Sequence, residues 1–157
     1  MSDFAARDLH FAMAHHLLVF ALAGVLAFEL GAVRARMEMR DVVRLARADA
    51  WYGILAAAII VVGFSRAVLA AKGWAYYSAN LFFWAKIAAF VVVGILSIFP
   101  TIAYLRWRRA GRSDAAFVPP EEELARVRRI LWLEAAVFAF IPLFAAAMAR
   151  GYGELGH

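Results

Sequence analysis

The stretch LFFWAKIAAFVVVGILSIFPTIAYL, residues 81–105, runs without a break into Arg106-Trp107-Arg108-Arg109. Its only charged residue is Lys86. An α-helix needs about 20 mostly apolar residues to cross a hydrocarbon core about 30 Å thick, and this stretch exceeds that length. Residues 9–33, 50–71 and 130–149 do the same. Four such helices use most of a 157-residue chain. The sequence therefore predicts an all-α fold, a four-helix transmembrane bundle forming a single domain over residues 1–157.

The arginines after residue 105 also set a direction. Of the 17 basic residues, five lie between the first two stretches (Arg34, Arg36, Arg40, Arg44, Arg47). Seven lie between the last two (Arg106, Arg108, Arg109, Arg112, Arg126, Arg128, Arg129). The middle connection offers Lys72, the N-terminus Arg7 and the C-terminus Arg150. Short arginine-rich loops stay on the cytoplasmic side. The loops at 34–49 and 106–129 are thus expected in the cytoplasm, with both termini on the outer, periplasmic side of a bacterial inner membrane. The polar, acid-containing residues 2–8 and the length of the following apolar run do not read as a cleaved signal peptide.

Composition agrees with this reading: 66% of residues are hydrophobic and mean hydropathy is +0.72. The net charge of +5 sits in juxtamembrane loops, where it suits anionic lipid headgroups at about 1 kcal/mol per residue. The expected partner is the lipid bilayer, with no nucleic acid. The absence of cysteine excludes disulfides, thiolate metal sites and cysteine nucleophiles.

Residues 34–47 mix charge with Met37, Val42, Val43 and Leu45, the pattern of a short amphipathic helix on the interface. Trp51 and Tyr52 read as interfacial belt residues. The run Pro120-Glu121-Glu122-Glu123 reads as a helix start, with acids at the positive end of the helix dipole.

Ionisable residues at hydrocarbon depth usually face the bundle interior and mark function. With the orientation above, His10, His15, His16, Arg66 and Lys86 form an outer layer. Glu29, Asp49 and Glu134 form an inner one. Two readings of the inner layer stand side by side: ion pairing with Arg47, Arg106 or Arg129, or proton handling. Arg66 and Lys86 either snorkel outward or build an anion site. At 100° per residue, His15 and Glu29 fall within about 40° of each other, and His16 points about 100° away from His15.

Neutral imidazole is a common axial ligand for haem iron. Every histidine except His157 lies on the first stretch, so two helices of one chain do not supply two histidine ligands. The remaining routes are a histidine with Lys86, a histidine with an open position, or a ligand from a second subunit. His10, His15 and His16 do not converge, so no metal is expected beyond a haem iron.

Several short motifs carry a family resemblance. They are Arg47-Ala48-Asp49, Tyr52-Gly53, Gly63-Phe64-Ser65-Arg66, Gly73-Trp74-Ala75-Tyr76-Tyr77, Asn80-Leu81-Phe82-Phe83-Trp84-Ala85-Lys86 and Ser97-Ile98-Phe99-Pro100-Thr101. Together they resemble an uncharacterised family of bacterial predicted inner-membrane proteins, a domain of unknown function. More distantly, His16 with Gly24, and Lys86 early in a later helix, resemble HemJ-type protoporphyrinogen oxidases and CopD-type membrane proteins. HemJ-like proteins are thought to bind b-type haem and to oxidise a porphyrinogen. That likeness implies haem b held by His16 (or His10) and Lys86, with Arg66 near a propionate; on the residues alone, His15 is a further candidate ligand. A membrane oxidoreductase is the enzyme class it suggests. The third stretch has Ser97-Ile98-Phe99-Pro100 where those enzymes usually carry further polar residues and a histidine.

Two other functions fit the same residues. One is a proton-coupled transporter or channel component, using Glu29 and Glu134 as relay and Arg66 and Lys86 for an anionic substrate. Four helices are few for transport, so that version implies a homodimer or larger assembly. The other is an accessory membrane subunit without chemistry.

Overall fold

The computed structural model describes residues 3–69 and 73–155; Lys72 and His157 lie outside them. The elements are α1 (Asp3–Ala32), α2 (Met39–Leu69), the short α3 (Gly73–Ser78), α4 (Leu81–Ser113) and α5 (Glu121–Ala149). α1, α2, α4 and α5 are each long and apolar enough to cross a membrane. α4 packs mainly on α5 and α1 on α2, and the α2–α4 and α1–α5 contacts close the ring. The result is an up-down-up-down bundle.

The helices overrun the apolar stretches at the arginine-rich end. α2 begins at Met39, so residues 39–49 are not a separate interfacial helix. Ala46, Ala48 and Ala50 favour helix, and no proline or glycine lies between Met39 and Gly53, so nothing stops the winding there. In the same way α4 continues to Ser113 and α5 starts at Glu121. The longest connection shrinks to residues 114–120, with Pro120 capping α5. The turn between α1 and α2 is tight. Arg36 sits in the left-handed region at φ 59, and Asp41 faces both Arg34 (3.5 Å) and the Glu38 N–H (3.4 Å).

Packing is uneven along the bundle axis. Met37, Val42, Leu45, Tyr104, Trp107, Val127 and Leu131 are almost wholly buried at the arginine-rich end. Glu123 ties α4 to α5 there, accepting from Trp107 Nε1 (2.6 Å) and Arg106 (2.7 Å). Towards the other end the buried apolar residues thin out to Ala67 and Phe83 among the described residues. Leu17, Phe20, Ile54, Val61, Ile95 and Leu143 remain exposed around the bundle. In lipid these are at home, and helix association rests on van der Waals packing and interhelical polar contacts.

The C-terminal segment closes the looser end. Asn80, fully buried, caps α4 by accepting from Phe82 N (2.9 Å) and Phe83 N (3.3 Å). Its amide donates to the Tyr152 carbonyl (3.0 Å), Leu81 N–H to Gly153 O (2.8 Å), and Leu155 N–H to Ala79 O (2.9 Å). Gly153 has φ 78, and a Cβ there would lie 2.6 Å from Phe82 Cδ2. No other residue fits both requirements.

Candidate functional site

Two polar sites lie at different depths, on helix faces fixed by the same 3.6-residue period. Fourteen residues separate His15 from Glu29 on α1, a rise of about 21 Å. Between them Leu22, Leu26, Ile59 and Val93 form an apolar layer.

At the looser end a cavity of about 310 Å³ lies between α1, α2, α4 and α5. That is at the small end of the range for ligand pockets. Among the described residues, His15 on α1 and Lys86 on α4 are its only polar lining side chains; the rest is apolar, including Ile59, Phe83, Phe90 and Phe138. Ile60 and Phe64 on α2 and Val91 on α4 are also exposed, so its mouth opens sideways between these helices, on the face that meets lipid. Gly63 makes room for His15: a Cβ there would lie 3.4 Å from His15 Cε1. The Lys86 ammonium stands 5.0 Å over the Phe83 ring and 6.0 Å over Tyr77, cation–π geometry. Arg66 is half-buried and close enough to His15 and Lys86 for their charges to interact.

The three histidines divide by direction. His15 Nδ1 is buried with no hydrogen-bond partner. His16 is exposed, and its Nδ1 lies 2.6 Å from the Ala12 carbonyl, to which it donates in that tautomer. The two rings meet edge to face at 6.1 Å. His10 is exposed. Thus His15 and Lys86 come together, with Arg66 beside them, while His16 and His10 point elsewhere.

The second site lies at the arginine-rich end. Glu29 (3% exposed) from α1, Asp49 and Tyr52 (5%) from α2, Thr101 and Tyr104 (0%) from α4, and Glu134 (1%) from α5 converge. Tyr104 faces Glu29 and Tyr52 faces Glu134, yet neither hydroxyl is set at hydrogen-bonding geometry. Thr101 Oγ1 is 2.7 Å from Asp49 Oδ1. Asp49 lies within electrostatic reach of both glutamates. Arg106 is taken by Glu123, and Arg47 and Arg129 are exposed. Among the described residues, no arginine hydrogen-bonds to Glu29 or Glu134.

Sequence reasoning put Tyr52 in the interfacial belt with Trp51. Trp51 is 61% exposed, but Tyr52 turns inward, because the two point about 100° apart. Tyr104 was missed. The available signal was spacing: Asp49–Tyr52 and Thr101–Tyr104 are each i, i+3 pairs on one face.

Four spanning helices enclosing intramembrane polar groups define a multi-pass membrane protein. The chain belongs to the family described as Predicted membrane protein (DUF2214), whose pattern matches residues 7–153. No curated protein and no solved structure matches it, so the likeness to HemJ-type and CopD-type proteins rests on individual residues alone.

Proposed function

We propose that the chain binds a membrane-dissolved, largely apolar molecule with an acidic or electron-accepting group, haem or a related porphyrin being the case its residues fit. The observation that carries this is the convergence of His15 and Lys86, from different helices, in a lipid-facing cavity that is otherwise apolar. A ligand that enters between Ile60, Phe64 and Val91 arrives from the bilayer, which selects for an apolar body. Lys86, with Arg66 nearby, then orients an acidic group at the polar end.

The donors suit haem, whose ring exceeds the cavity of about 310 Å³ and would project through the mouth into lipid. The unpartnered, buried His15 nitrogen is the kind of imidazole that ligates iron. Lys86 is placed to meet a carboxylate. Bound haem would supply one-electron redox chemistry. The chain's part is to hold the ring system among Phe83, Phe90 and Phe138 and to keep water out. The proposed setting is the bacterial inner membrane, with the arginine-rich turns cytoplasmic.

The test is a visible absorption spectrum of detergent-purified protein from haem-replete cells, oxidised and then dithionite-reduced. A Soret band with sharp reduced α and β bands is expected. It should disappear in His15→Ala, weaken in Lys86→Ala and survive in His16→Ala. A colourless preparation that also takes up no added hemin overturns haem. Equal loss in the His15 and His16 variants overturns the assignment to His15.

A further inference from the structure

We infer that Glu29, Asp49 and Glu134 form an intramembrane proton-exchange site at the arginine-rich end, with Asp49 as its port. The site is separate from the ligand cavity and its test does not depend on that reading.

The first observation is convergence: every spanning helix contributes, Glu29 from α1, Asp49 and Tyr52 from α2, Thr101 and Tyr104 from α4, Glu134 from α5. The second, independent one is that the two glutamates and the two tyrosines are buried with polar atoms left without a hydrogen bond. Both Glu134 oxygens, Glu29 Oε1 and both tyrosine hydroxyls lack a hydrogen bond in residues that are at least 95% buried. Unsatisfied polar atoms at hydrocarbon depth are costly, so a purely structural cluster should have been paired or replaced by apolar residues. The ion pair that would give it a structural reason is missing, because Arg106 binds Glu123 and Arg47 and Arg129 are exposed.

Size then selects the ligand. Leu26, Leu45, Trp107 and Leu131, on the same four helices as these groups, belong to the buried apolar core, and the cavities found elsewhere in the bundle are lined by other residues. No set of three acids and histidines among the described residues is arranged to hold a metal ion. A proton needs no cavity. Asp49 is only half-buried, which makes it the member that water reaches first. The apolar layer of Leu22, Leu26, Ile59 and Val93 blocks passage towards the cavity, so exchange runs with the arginine-rich face. In the step, a proton from water bonds to an Asp49 carboxylate oxygen. That O–H bond then breaks as one forms on Glu29 or Glu134, and Asp49 returns to a carboxylate. Each proton taken up changes the cluster's charge by one.

Infrared difference spectroscopy on the full chain in lipid bilayers, with the bulk pH stepped, tests this. A carboxyl C=O stretch that rises and falls with pH is expected, reduced in Glu29→Gln and in Glu134→Gln. Asp49→Asn should slow its response at least tenfold while leaving the glutamate signal. A wild-type protein with no pH-dependent carboxyl band overturns the site, and this holds even if a variant fails to fold. A band that follows sodium concentration at constant pH, or that is undiminished in both glutamine variants, overturns it as well. An unchanged rate in Asp49→Asn overturns the port.

Discussion

Replacing Gly153 by alanine should release the C-terminal segment from the start of α4. Gly153 sits at φ 78, where an L side chain costs about 1–2 kcal/mol. The new Cβ would also lie 2.6 Å from Phe82 Cδ2, and pushing that ring off its rotamer costs about 0.5–1.5 kcal/mol. Alanine is less free than glycine in the released segment, which returns under about 1 kcal/mol. The net penalty is about 2 kcal/mol. Docking is held by three hydrogen bonds, Leu81 N–H to Gly153, Leu155 N–H to Ala79 and the Asn80 amide to Tyr152, at about 1 kcal/mol each. The penalty therefore removes most of what holds the segment. Gly151→Ala is the internal control. Its φ is 80, but its nearest neighbour is Glu154 Oε1 at 3.9 Å, so it should cost about 1 kcal/mol. Amide hydrogen exchange at Leu81 and Leu155 reads the opening directly. About 30-fold faster exchange is expected for Gly153→Ala and about 5-fold for Gly151→Ala. Equal effects would refute the Phe82 contact, and no effect in either would refute the docking itself.

Gly63→Leu should abolish ligand binding at the cavity while Gly63→Ala leaves it nearly intact. A Cβ at 63 makes only ordinary contact with His15 at 3.4 Å, whereas a leucine fills the space; ligand titration against both variants checks this. Glu134→Leu should raise thermal stability in detergent by about 1 kcal/mol or more, because it removes an unpartnered buried carboxylate, and it should reduce the pH-dependent infrared signal as Glu134→Gln does; a lower melting temperature would count against an unsatisfied group. Glu123→Ala should cost about 2 kcal/mol by stranding the buried Trp107 N–H. Glu123→Gln, which keeps an acceptor, should cost under about 1 kcal/mol, and melting curves of the pair separate the two.

The membrane spans were legible because their signal is local: length and apolarity are carried by each stretch alone. The depth of the polar residues was legible for the same reason, since rise per residue converts sequence position into height. Direction was harder. His15 and His16 differ by about 100° on α1, and only the position of α2, with Gly63 against His15, selects His15. Tyr52 reads as an interfacial aromatic beside Trp51 until the helix is seen to run unbroken from Met39, which carries Tyr52 inward with Asp49. The docking of residues 151–155 depends on backbone hydrogen bonds to a segment some seventy residues earlier. Its local trace was slight, two glycines at 151 and 153 and an asparagine before an apolar run.

The uneven packing explains why one bundle holds two unlike sites. At the arginine-rich end, α1 and α2 are joined by residues 33–38 and α4 and α5 by residues 114–120, so the helix pairs are drawn together and Met37, Trp107 and Val127 exclude space. Polar groups placed there are enclosed by side chains and left without partners, which suits a proton and nothing larger. At the other end α3 intervenes between α2 and α4 in the chain, and Gly63 and Ala67 offer little bulk to the space between the helices. A cavity opens there, and the lipid-facing residues Ile60, Phe64 and Val91 become its threshold. On the two readings proposed above, a single chain would meet an apolar ligand from the side and a proton from one face. Neither path crosses the layer of Leu22, Leu26, Ile59 and Val93 between them.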